Sequence, residues 1–387
     1  MSKKILLIEH TTAEFVISRL QLGLFLIEKG HEVFALLPEN DVTKYYDDIS
    51  EKGIQILTYP YDRNTKSPLS NLKSILLFCR LFKAHKFDLI HSFKFQPNFY
   101  ATLGKLLLRK IKLVLHITGL GVAFTDKNTL KIRFLRFVSR CIFLLNFVIA
   151  DRLIFQNPDD ENDLWLTHFF CKKHCVIEGS GVDIERFDKR NYDIEKIKRE
   201  LGIEGKTVLT FISRLVWQKG VRETIEASER LFNDFSSLHL LIVGKIDNEN
   251  PESISKEFIE KYKAYSQISF LGLRSDISEI LAATDVYVYP SYYREGVPRT
   301  VLETLATGVP IITTDMPGCR LTIEDGKNGY LIPPKSVDET ENALRKILVR
   351  KDLEEMGTYS RKLAEERFQN QIVYEKIYTQ YLECLDA

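Results

Sequence analysis

The chain is organised around the stretch Ser291-Tyr-Tyr-Arg-Glu-Gly-Val-Pro-Arg-Thr-Val-Leu-Glu-Thr-Leu-Ala-Thr-Gly308. It follows Asp285-Val-Tyr-Val-Tyr-Pro290, a run of β-branched and aromatic residues that is typical of a strand covered on both faces. Pro298 can occupy the first position of a helix, and Gly308 can end it. Because Val309 to Thr313 has the pattern of a further strand, we predict a strand, loop, helix and strand. The loop then lies at a sheet edge where parallel sheets bind ligands.

The predicted helix begins with backbone N–H groups that have no partner inside the helix, those of Arg299, Thr300 and Val301. The helix dipole adds partial positive charge, so this end suits a phosphate. A ribose attached to that phosphate would lie within reach of the Glu303 carboxylate, which accepts hydrogen bonds from hydroxyl groups. The alternative is an exposed ion pair between Glu303 and Arg299, which would contribute roughly a few tenths of a kcal/mol.

Two glutamates, Glu295 and Glu303, have seven residues between them, and Ala306-Thr-Gly-Val-Pro-Ile-Ile-Thr-Thr-Asp315 follows. This pattern resembles the signature of glycosyltransferase family 4, whose members are retaining enzymes that use nucleotide sugars. The resemblance implies the α/β fold called GT-B. In it, two Rossmann-like, doubly wound parallel-sheet domains face a central cleft, and the C-terminal helix crosses back to the first domain. It also implies that Glu295 acts in catalysis and that Gly296 and Val297 bind the donor.

Length and composition limit the possible folds and locations. At 387 residues the chain exceeds the size at which one core usually stops growing, which favours two domains. A hydrophobic content of 44% without low-complexity tracts predicts a globular chain. The N-terminus enters a strand directly and no apolar run reaches about 18 residues, so we expect neither a signal peptide nor a spanning helix. Six scattered cysteines suit reduced thiols in a cytoplasm.

The net charge is +1, but its distribution is uneven. From Lys66 to Arg140 there are 15 Lys or Arg residues against two acidic ones, so this segment carries +13 and the remainder −12. Such an asymmetry predicts an anionic partner for one face of the first half. A solvated basic surface is the alternative. Nucleic acid is not expected as a partner, because the usual binding motifs and an aromatic stacking pattern are absent.

Apolar runs alternate with helical patterns along the chain, which predicts parallel sheets covered on both faces. In the first half we predict strands at Lys4–Glu9, His31–Leu37, Gly53–Tyr59, Phe87–Ser92, Lys112–Ile117 and Arg152–Phe155. Helices are predicted there at Phe15–Lys29, Leu69–His85, Pro97–Leu108 and Thr129–Ala150. In the second half we predict strands at Thr207–Ile212, Leu238–Val243, Gln267–Leu271, Asp285–Tyr289 and Val309–Thr313. The predicted domains are 1–182 for the acceptor and 183–369 for the donor, with a C-terminal helix at 370–387.

Two cations, Arg214 and Lys219, follow a predicted strand in the stretch Ser213-Arg-Leu-Val-Trp-Gln-Lys-Gly220. They therefore lie at the same sheet edge as the Glu295 loop, where they can neutralise a diphosphate leaving group. Both can instead be ordinary surface charges. Cations near a helix start oppose its dipole, however, and an anion between them would remove that conflict.

Two short segments after predicted strands, Gly244-Lys245 and Leu271-Gly-Leu-Arg274, resemble the part of the family that reads the uracil base of the donor. Their glycines can equally well serve as turns. No Asp-x-Asp occurs, the motif with which the other large glycosyltransferase architecture binds a metal at the diphosphate, so we expect no metal and no cofactor. Protein cations and the helix dipole are then expected to stabilise the leaving group. Cys171-Lys-Lys-His-Cys175 with His168 does not have the spacing of a common zinc site, which favours structural thiols.

Further motifs extend the resemblance over most of the chain: Phe155-Gln-Asn-Pro-Asp-Asp160, Gly179-Ser-Gly-Val-Asp183, Ile117-Thr-Gly-Leu-Gly121 and Asp315-Met-Pro-Gly-Cys-Arg320. They are similar to the branch that builds bacterial surface polysaccharides and lipid-linked glycans. This implies a UDP-sugar donor, with N-acetylgalactosamine as the first expectation, and an undecaprenyl-diphosphate-linked acceptor. Acceptor contacts are expected from Thr11, Thr12, Arg19, Lys94 and Gly119.

Two positions depart from the family pattern. His10-Thr-Thr-Ala13 replaces a glycine pair that often follows the first strand. Thr118 stands before Gly119, where many members have a histidine. His116 lies two residues earlier, on the same side of an extended strand, and can take that place or be a buried structural histidine. We therefore keep both His116 and Thr118 as catalytic candidates.

The predicted helix Thr129–Ala150 combines basic and apolar residues, and its second half is almost wholly apolar. Basic residues above apolar ones suit a helix at a membrane surface. Each Lys or Arg near anionic lipid contributes about 1 kcal/mol, so we predict peripheral binding to the inner face of the cytoplasmic membrane. The alternative is that Phe134, Phe137 and the run from Cys141 to Ala150 pack against the sheet, which we favour for the apolar half.

Two other functions fit part of the pattern. A nucleotide-sugar 2-epimerase shares the two-lobed architecture but needs no membrane surface. A non-catalytic scaffold of a polysaccharide-assembly complex is the third possibility. Release of UDP that depends on a lipid-linked acceptor would separate the three.

Overall fold

The computed structural model describes residues 2–40, 42–61, 68–106, 108, 110–124, 129–164, 174–247, 250 and 252–386. The chain divides into two compact units, Met1–Gly181 with Asn370–Ala387, and Val182–Gln369. Some predictions fall outside the described residues, namely those on Lys66, Arg109 and Lys127 of the basic segment and on His168 and Cys171.

The first unit is built on a parallel sheet whose described strands run in the order β3-β2-β1-β4-β5-β6-β7. The strands are β1 (Lys4–Ile8), β2 (Glu32–Pro38), β3 (Gln55–Tyr59), β4 (Leu89–Phe93), β5 (Lys112–Ile117), β6 (Arg152–Phe155) and β7 (His174–Val176). The central strands are almost entirely buried, as expected of a sheet covered on both faces. The strand order reverses between β1 and β4, which is the switch point where such sheets bind ligands.

Helices cover both faces of this sheet. They are α1 (Thr12–Ser18), α2 (Leu20–Glu28), α3 (Tyr46–Ser50), α4 (Pro68–His85), α5 (Phe95–Leu106), α6 (Leu130–Ile149) and α7 (Pro158–Asp163). On one face α4, α5 and α6 pack side by side over an aromatic core that includes Phe78, Tyr100, Phe143 and Phe147. Each of these three helices follows a strand, so their N-termini lie at the carboxyl edge of the sheet.

The second unit has its own parallel sheet, with the order β10-β9-β8-β11-β12-β13 among the described strands. The strands are β8 (Thr207–Ile212), β9 (Leu238–Val243), β10 (Ile268–Gly272), β11 (Val286–Tyr289), β12 (Ile311–Thr314) and β13 (Gly329–Ile332). Its helices are α8 (Ile194–Leu201), α9 (Val221–Leu231), α10 (Lys256–Lys263), α11 (Ile277–Ala282), α12 (Arg299–Thr307), α13 (Val337–Leu348) and α14 (Leu353–Leu363).

The last helix, α15 (Asn370–Asp386), belongs to the first unit. It buries Val373, Ile377 and Tyr381 in an apolar cluster of the first unit and packs against α2 and β5. The Tyr381 hydroxyl also contacts Nδ1 of His91 on β4. Apolar burial and this buried hydrogen bond together hold the C-terminal helix to the first sheet.

The structure corrects one predicted helix of the first unit. The segment Phe15–Lys29 is not a single helix, because it breaks at Arg19, where φ is −123° and ψ is −23°. The break lets the Arg19 guanidinium turn inward, and its Nε donates to Oε2 of Glu9 at 3.2 Å. The apolar periodicity of this segment is uninterrupted and gave no sign of the break.

Candidate active site

The predicted strand, loop and helix around Gly296 are present in the second unit. The loop after β11 leads to α12, which begins at Arg299 with Pro298 as its N-cap and ends at Gly308 in the left-handed conformation. The side chain of Pro298 makes no capping hydrogen bond to the first turn of α12. Its backbone N–H groups, including that of Thr300, are therefore directed toward the loop end without a side-chain acceptor from the cap.

A buried cation lies beside this loop. Nζ of Lys219 donates to Oε2 of Glu295 at 2.6 Å and to the Tyr289 hydroxyl at 2.8 Å. The Tyr289 hydroxyl donates in turn to Oε1 of Glu295 at 2.8 Å, and Ser291 Oγ donates to the same oxygen at 3.2 Å. The side chains of Lys219 and Glu295 are only 9% and 18% exposed. Lys219 is therefore not an ordinary surface charge.

Tyr289 and Ser291 are members of this cluster that the sequence did not single out. Tyr289 lies in the predicted buried strand, and burial with the nearby Glu295 charge raises its pKa well above the usual value. The hydroxyl therefore stays protonated and can both donate and accept a hydrogen bond. A buried tyrosine usually finds a polar partner, and this rule was the available signal.

The other predicted donor residues lie where three strands of the second sheet end. Gly244 N donates to the Gly272 carbonyl at 2.8 Å, which joins the turns after β9 and β10. Arg214 Nη1 contacts Oδ2 of Asp247 at 2.8 Å, so this predicted phosphate ligand already has an acidic partner. At the same edge, Leu215 N donates to the Lys245 carbonyl at 3.0 Å.

Arg274 also has an acidic partner in this structure. Its Nε donates to Oδ1 of Asp276 at 2.8 Å, and the hydrogen bond between the two side chains raises the pKa of Arg274. Arg214 and Arg274 are thus both paired with carboxylates. The edge therefore offers two arginines, and each of them has a carboxylate partner in addition to any ligand that it binds.

Glu303 pairs with Arg299, but not on an exposed helix face. The Arg299 Nε to Glu303 Oε1 distance is 2.9 Å, and Glu303 is buried together with Val301. Burial raises the pKa of Glu303 even though the neighbouring Arg299 charge lowers it. The alternative of an ion pair on an exposed helix face is therefore only half right. The pair with Arg299 is present, but Glu303 is buried.

A close approach of two loops fixes the backbone next to the helix start. Gly318 has φ of +80°, and a Cβ at this position would lie 1.7 Å from the carbonyl oxygen of Gly296. No other residue fits there without moving the chain. The loop after β12 therefore supports Gly296 directly, and buried Val297 follows it into α12.

In the first unit, the predicted acceptor cations are engaged in ion pairs. Arg19 is buried, with its guanidinium 3.9 Å from the Phe93 ring centroid and its Nε on Glu9. The structure therefore does not present Arg19 to a ligand, because the carboxylate of Glu9 holds it inside. Lys94, with φ of +72°, lies 3.3 Å from Oε1 of Glu14, and its charge lowers the pKa of Glu14 to about 2.

The predicted threonines near these cations differ in exposure. Thr11 caps α1, since its side chain accepts from Glu14 N at 3.2 Å, whereas Thr12 is fully buried. Thr118 and Gly119 follow β5, and both are partly exposed. Of these four, only Thr12 is enclosed by the fold and cannot meet a ligand in this structure.

His116 is fully buried, in contrast to Thr118. Its ring stacks on that of His91 at 5.4 Å, and neither ring nitrogen has a hydrogen-bond partner. Burial, with the charges of Arg19 and Lys94, holds the pKa of His116 well below its usual value. The ring is therefore a neutral core group here, and Thr118 is the member of the pair that can meet a ligand.

The residues that the structure describes contain neither a candidate metal cluster nor a membrane-spanning helix. Among them, no three or more His, Cys, Asp or Glu side chains gather where they could hold a metal ion. No described helix combines the length and the apolar character that crossing a bilayer requires.

Comparisons with known proteins match both units. Residues 193–363 match the family model for glycosyl transferases group 1, and residues 20–164 match the glycosyl transferase 4-like domain. The chain is 28% identical over 347 residues to the N,N'-diacetylbacillosaminyl-diphospho-undecaprenol alpha-1,3-N-acetylgalactosaminyltransferase of Campylobacter jejuni, with 88% of each chain covered. It is 26% identical to the UDP-Gal:alpha-D-GlcNAc-diphosphoundecaprenol alpha-1,3-galactosyltransferase of Escherichia coli, over 79% of this chain and 77% of the relative.

Solved structures share the fold along nearly the whole chain. Anabaena HepE in complex with UDP has a TM-score of 0.79 at 19% identity, with 98% of this chain and 100% of that one covered. Sucrose-phosphate synthase from Thermosynechococcus elongatus has a TM-score of 0.81 at 18% identity, with 99% of each chain covered. The predicted GT-B fold is confirmed, and the chain belongs to the glycosyltransferases that join a 4-like domain to a group 1 domain.

Proposed function

We propose that this glycosyltransferase moves a hexose or N-acetylhexosamine from a UDP-sugar to a polyprenyl-diphosphate-linked sugar, with retention of configuration. The observation that carries the proposal is the buried Lys219 on the Glu295 carboxylate, next to the uncapped start of α12. The names of the Campylobacter and Escherichia relatives support a lipid-linked acceptor. A neighbour solved with UDP supports a uridine nucleotide as the donor part. N-acetylgalactosamine remains the sugar that we expect first.

The mechanism follows from where charge develops. As the sugar–phosphate bond breaks, its electron pair passes to the diphosphate, and Lys219, Arg214 and the α12 N-terminus stabilise the added negative charge. The acceptor oxygen forms the new bond on the same face of the sugar. Glu295 holds Lys219 in place and offers oxygens to the sugar hydroxyl groups. In this scheme no side chain forms a covalent intermediate.

The donor nucleoside has its own candidate ligands in the second unit. Buried Glu303 can accept from the ribose hydroxyl groups beside α12. The turns at Gly244 and Lys245, with Arg274, offer backbone and side-chain groups to the base. In the first unit we assign the acceptor to the switch point between β1 and β4, where Lys94 and Thr11 lie.

We also propose that the first unit binds an anionic membrane surface through α6. One side of this helix carries exposed apolar residues at steps of three, four or seven positions. They are Leu130 (83% exposed), Phe134 (68%), Phe137 (64%), Leu144 (39%) and Val148 (50%). Thus Phe134 and Phe137 do not pack against the sheet, whereas Phe143 and Phe147 do.

Basic residues flank the first half of this apolar stripe. Lys131, Arg133 and Arg140 are exposed on α6, while Arg136 donates from Nε to the Ala123 carbonyl at 2.9 Å. A helix with an apolar side and neighbouring cations suits the interface of an anionic bilayer. Peripheral binding would bring the enzyme to an acceptor whose polyprenyl tail cannot leave the membrane.

The test of the proposed transfer has two steps. A screen of nucleotide sugars for thermal stabilisation should single out a UDP-sugar, because a ligand that binds only the folded state raises its stability. GDP-mannose outperforming every UDP-sugar would contradict the uridine assignment. The selected donor is then incubated with polyprenyl-diphosphate-linked saccharides. Release of UDP that requires the acceptor supports transfer, whereas acceptor-independent conversion of the donor sugar would indicate epimerisation.

A further inference from the structure

A glutamate and a histidine form a close pair directly after β1, at the switch point of the first sheet. His10 Nδ1 lies 2.6 Å from Oε1 of Glu9, and the same oxygen accepts the His10 backbone N–H at 2.9 Å. Lys94 follows β4 on the other side of the switch point. The pair therefore occupies the position where a doubly wound sheet receives its ligand.

The fold holds the glutamate rigidly and leaves the histidine accessible. Glu9 is completely buried, and its second oxygen accepts from Arg19 Nε at 3.2 Å. Burial opposes its ionisation, but the hydrogen bond with His10 and the charge of Arg19 outweigh burial and lower the pKa of Glu9. The His10 side chain is 29% exposed. A fixed carboxylate thus orients an imidazole ring that solvent and ligands can reach.

The carboxylate also determines which ring nitrogen carries the proton. A neutral imidazole that donates from Nδ1 to a carboxylate presents an unprotonated Nε2, which is a hydrogen-bond acceptor. Among the described residues, no hydrogen bond to His10 Nε2 is present. An acceptor nitrogen at this place suits a ligand that brings a hydroxyl group, and the anionic Glu9 next to it disfavours a phosphate.

We propose that His10 binds the sugar of the acceptor, with Nε2 accepting a hydrogen bond from one of its hydroxyl groups, and that Glu9 is the positioning residue. This inference rests on the proposed function, since it assigns a ligand to the acceptor site. Arg19, which cannot reach a ligand itself, acts through Glu9. The inward turn of Arg19 at the helix break thus keeps Glu9 charged and fixed beneath His10.

Two substitutions at one position separate the roles of the two ring nitrogens. His10→Asn keeps a donor close to the place of Nδ1, so Glu9 and Arg19 stay paired, but it removes Nε2. His10→Gln places its amide close to Nε2. A matched control is His85→Asn, because His85 ends α4 at the opposite edge of the same sheet. Melting temperatures of all three variants report whether the fold is intact.

The kinetic experiment measures kcat/KM for the lipid-linked saccharide and KM for the UDP-sugar. We expect His10→Asn to lower the former roughly tenfold to hundredfold, because a site built to bind a hydroxyl group loses its partner. The donor KM should stay unchanged, and His10→Gln should retain much of the activity. If the wild type transfers the sugar and His10→Asn has the same kcat/KM for the acceptor, the inference is overturned but the proposed function is not. Absence of transfer by the wild type with every donor and acceptor would overturn the proposed function and this inference with it.

A spectroscopic measurement tests the nitrogen assignment without turnover. In the full chain with ¹⁵N-labelled histidine, the His10→Asn spectrum identifies the His10 signals. At a pH where the ring is neutral, we expect the proton on Nδ1 and a shift of the Nε2 signal when the acceptor saccharide is added. A proton on Nε2, or a doubly protonated ring that responds to inorganic phosphate instead, would overturn the inference.

Discussion

The ammonium group of Lys219 and the carboxylate of Glu295 are 2.6 Å apart, and the Tyr289 hydroxyl contacts both. Without a donor, the charge of Lys219 is therefore already balanced at short range. A bound diphosphate must share or replace this partner. The ion pair stabilises a buried cation and holds it in position for the charge that develops on the leaving group.

Replacing Lys219 by alanine should reduce turnover much more than donor binding. Charge on the diphosphate grows toward the transition state, so a cation there contributes mainly to kcat. We expect kcat to fall roughly a hundredfold or more, and a similar direction for Arg214→Ala. Steady-state kinetics with saturating acceptor measure this. A raised donor KM with unchanged kcat would show that the cations only anchor the ground state.

Tyr289→Phe should also lower kcat, because the Tyr289 hydroxyl orients both Lys219 and Glu295. It removes one hydrogen bond from Lys219 and one from Glu295, so both lose orientation. We expect a fall of about tenfold in kcat with little change in melting temperature. Tyr265→Phe is the control, because it removes a tyrosine–glutamate hydrogen bond, to Glu229, in the same unit. Equal kcat values for the two variants would exclude a positioning role for Tyr289.

Elements that local sequence signals specify could be predicted, whereas contacts between distant side chains could not. The helix α12 was predicted well because Pro298 and Gly308 mark its ends and the apolar strand precedes it. The parallel-sheet topology also placed Lys219 at the edge that carries Glu295. The direct contact between Lys219 and Glu295, and the hydrogen bonds of both residues with Tyr289, could not be predicted. They depend on how side chains that are far apart in the sequence pack together. Arg19 shows the same limit, since the sequence pattern indicates neither its buried ion pair with Glu9 nor the helix break at this residue.

Glu303→Gln should weaken donor binding without destabilising the empty protein. The raised pKa of Glu303 means that the folded state holds the proton of this carboxyl more tightly than the unfolded state does. Stability is therefore lost as pH rises above the unfolded value of about 4.3, and a neutral glutamine avoids this loss. We expect an equal or higher melting temperature at pH 7 and a higher donor dissociation constant by calorimetry. Unchanged donor affinity would exclude a role of Glu303 in binding the ribose, and its ion pair with Arg299 would then be its remaining interaction.

His116→Leu should stabilise the protein and decide whether this histidine acts in catalysis. Both ring nitrogens are buried without partners, so we expect leucine to gain about 1 kcal/mol at pH 7. Because the folded pKa is depressed, stability of the wild type falls as pH drops below about 6.5, where the unfolded histidine takes up a proton. The variant should show a weaker fall in melting temperature between pH 7 and pH 5. Part of the fall should remain in the variant, because the pKa of His91 is also lowered.

Activity of the same variant distinguishes the two catalytic candidates. If His116 is a core group, the turnover of His116→Leu should be close to that of the wild type. Thr118→Val should then be the change that lowers turnover. Loss of turnover in a well-folded His116→Leu protein would contradict the assignment of His116 as a core group. It would also return this residue to the active site.

Changing Lys131, Arg133 and Arg140 together to Gln should weaken binding to anionic vesicles. Each basic residue near anionic lipid contributes about 1 kcal/mol, so three of them give roughly a hundredfold change. Arg136 is left intact because it bonds the Ala123 carbonyl and its loss would disturb the fold. The control changes Lys52, Lys83 and Lys110 to Gln, which removes the same charge at the opposite edge of the first sheet, where all three are exposed. Co-sedimentation with vesicles of increasing anionic lipid content, at low and high salt, measures both.

The apolar stripe of α6 requires a second variant, because charge alone would produce only a salt-sensitive attachment. Phe134 and Phe137 are exposed, so changing both to Ser costs the fold little but removes the side chains that would enter the bilayer. We expect this double variant to lose the part of the binding that survives high salt, while transfer to a soluble acceptor analogue stays at the wild-type level. Binding that ignores lipid charge, salt and both sets of substitutions would show that α6 does not contact the membrane. The exposed stripe would then need a protein partner instead.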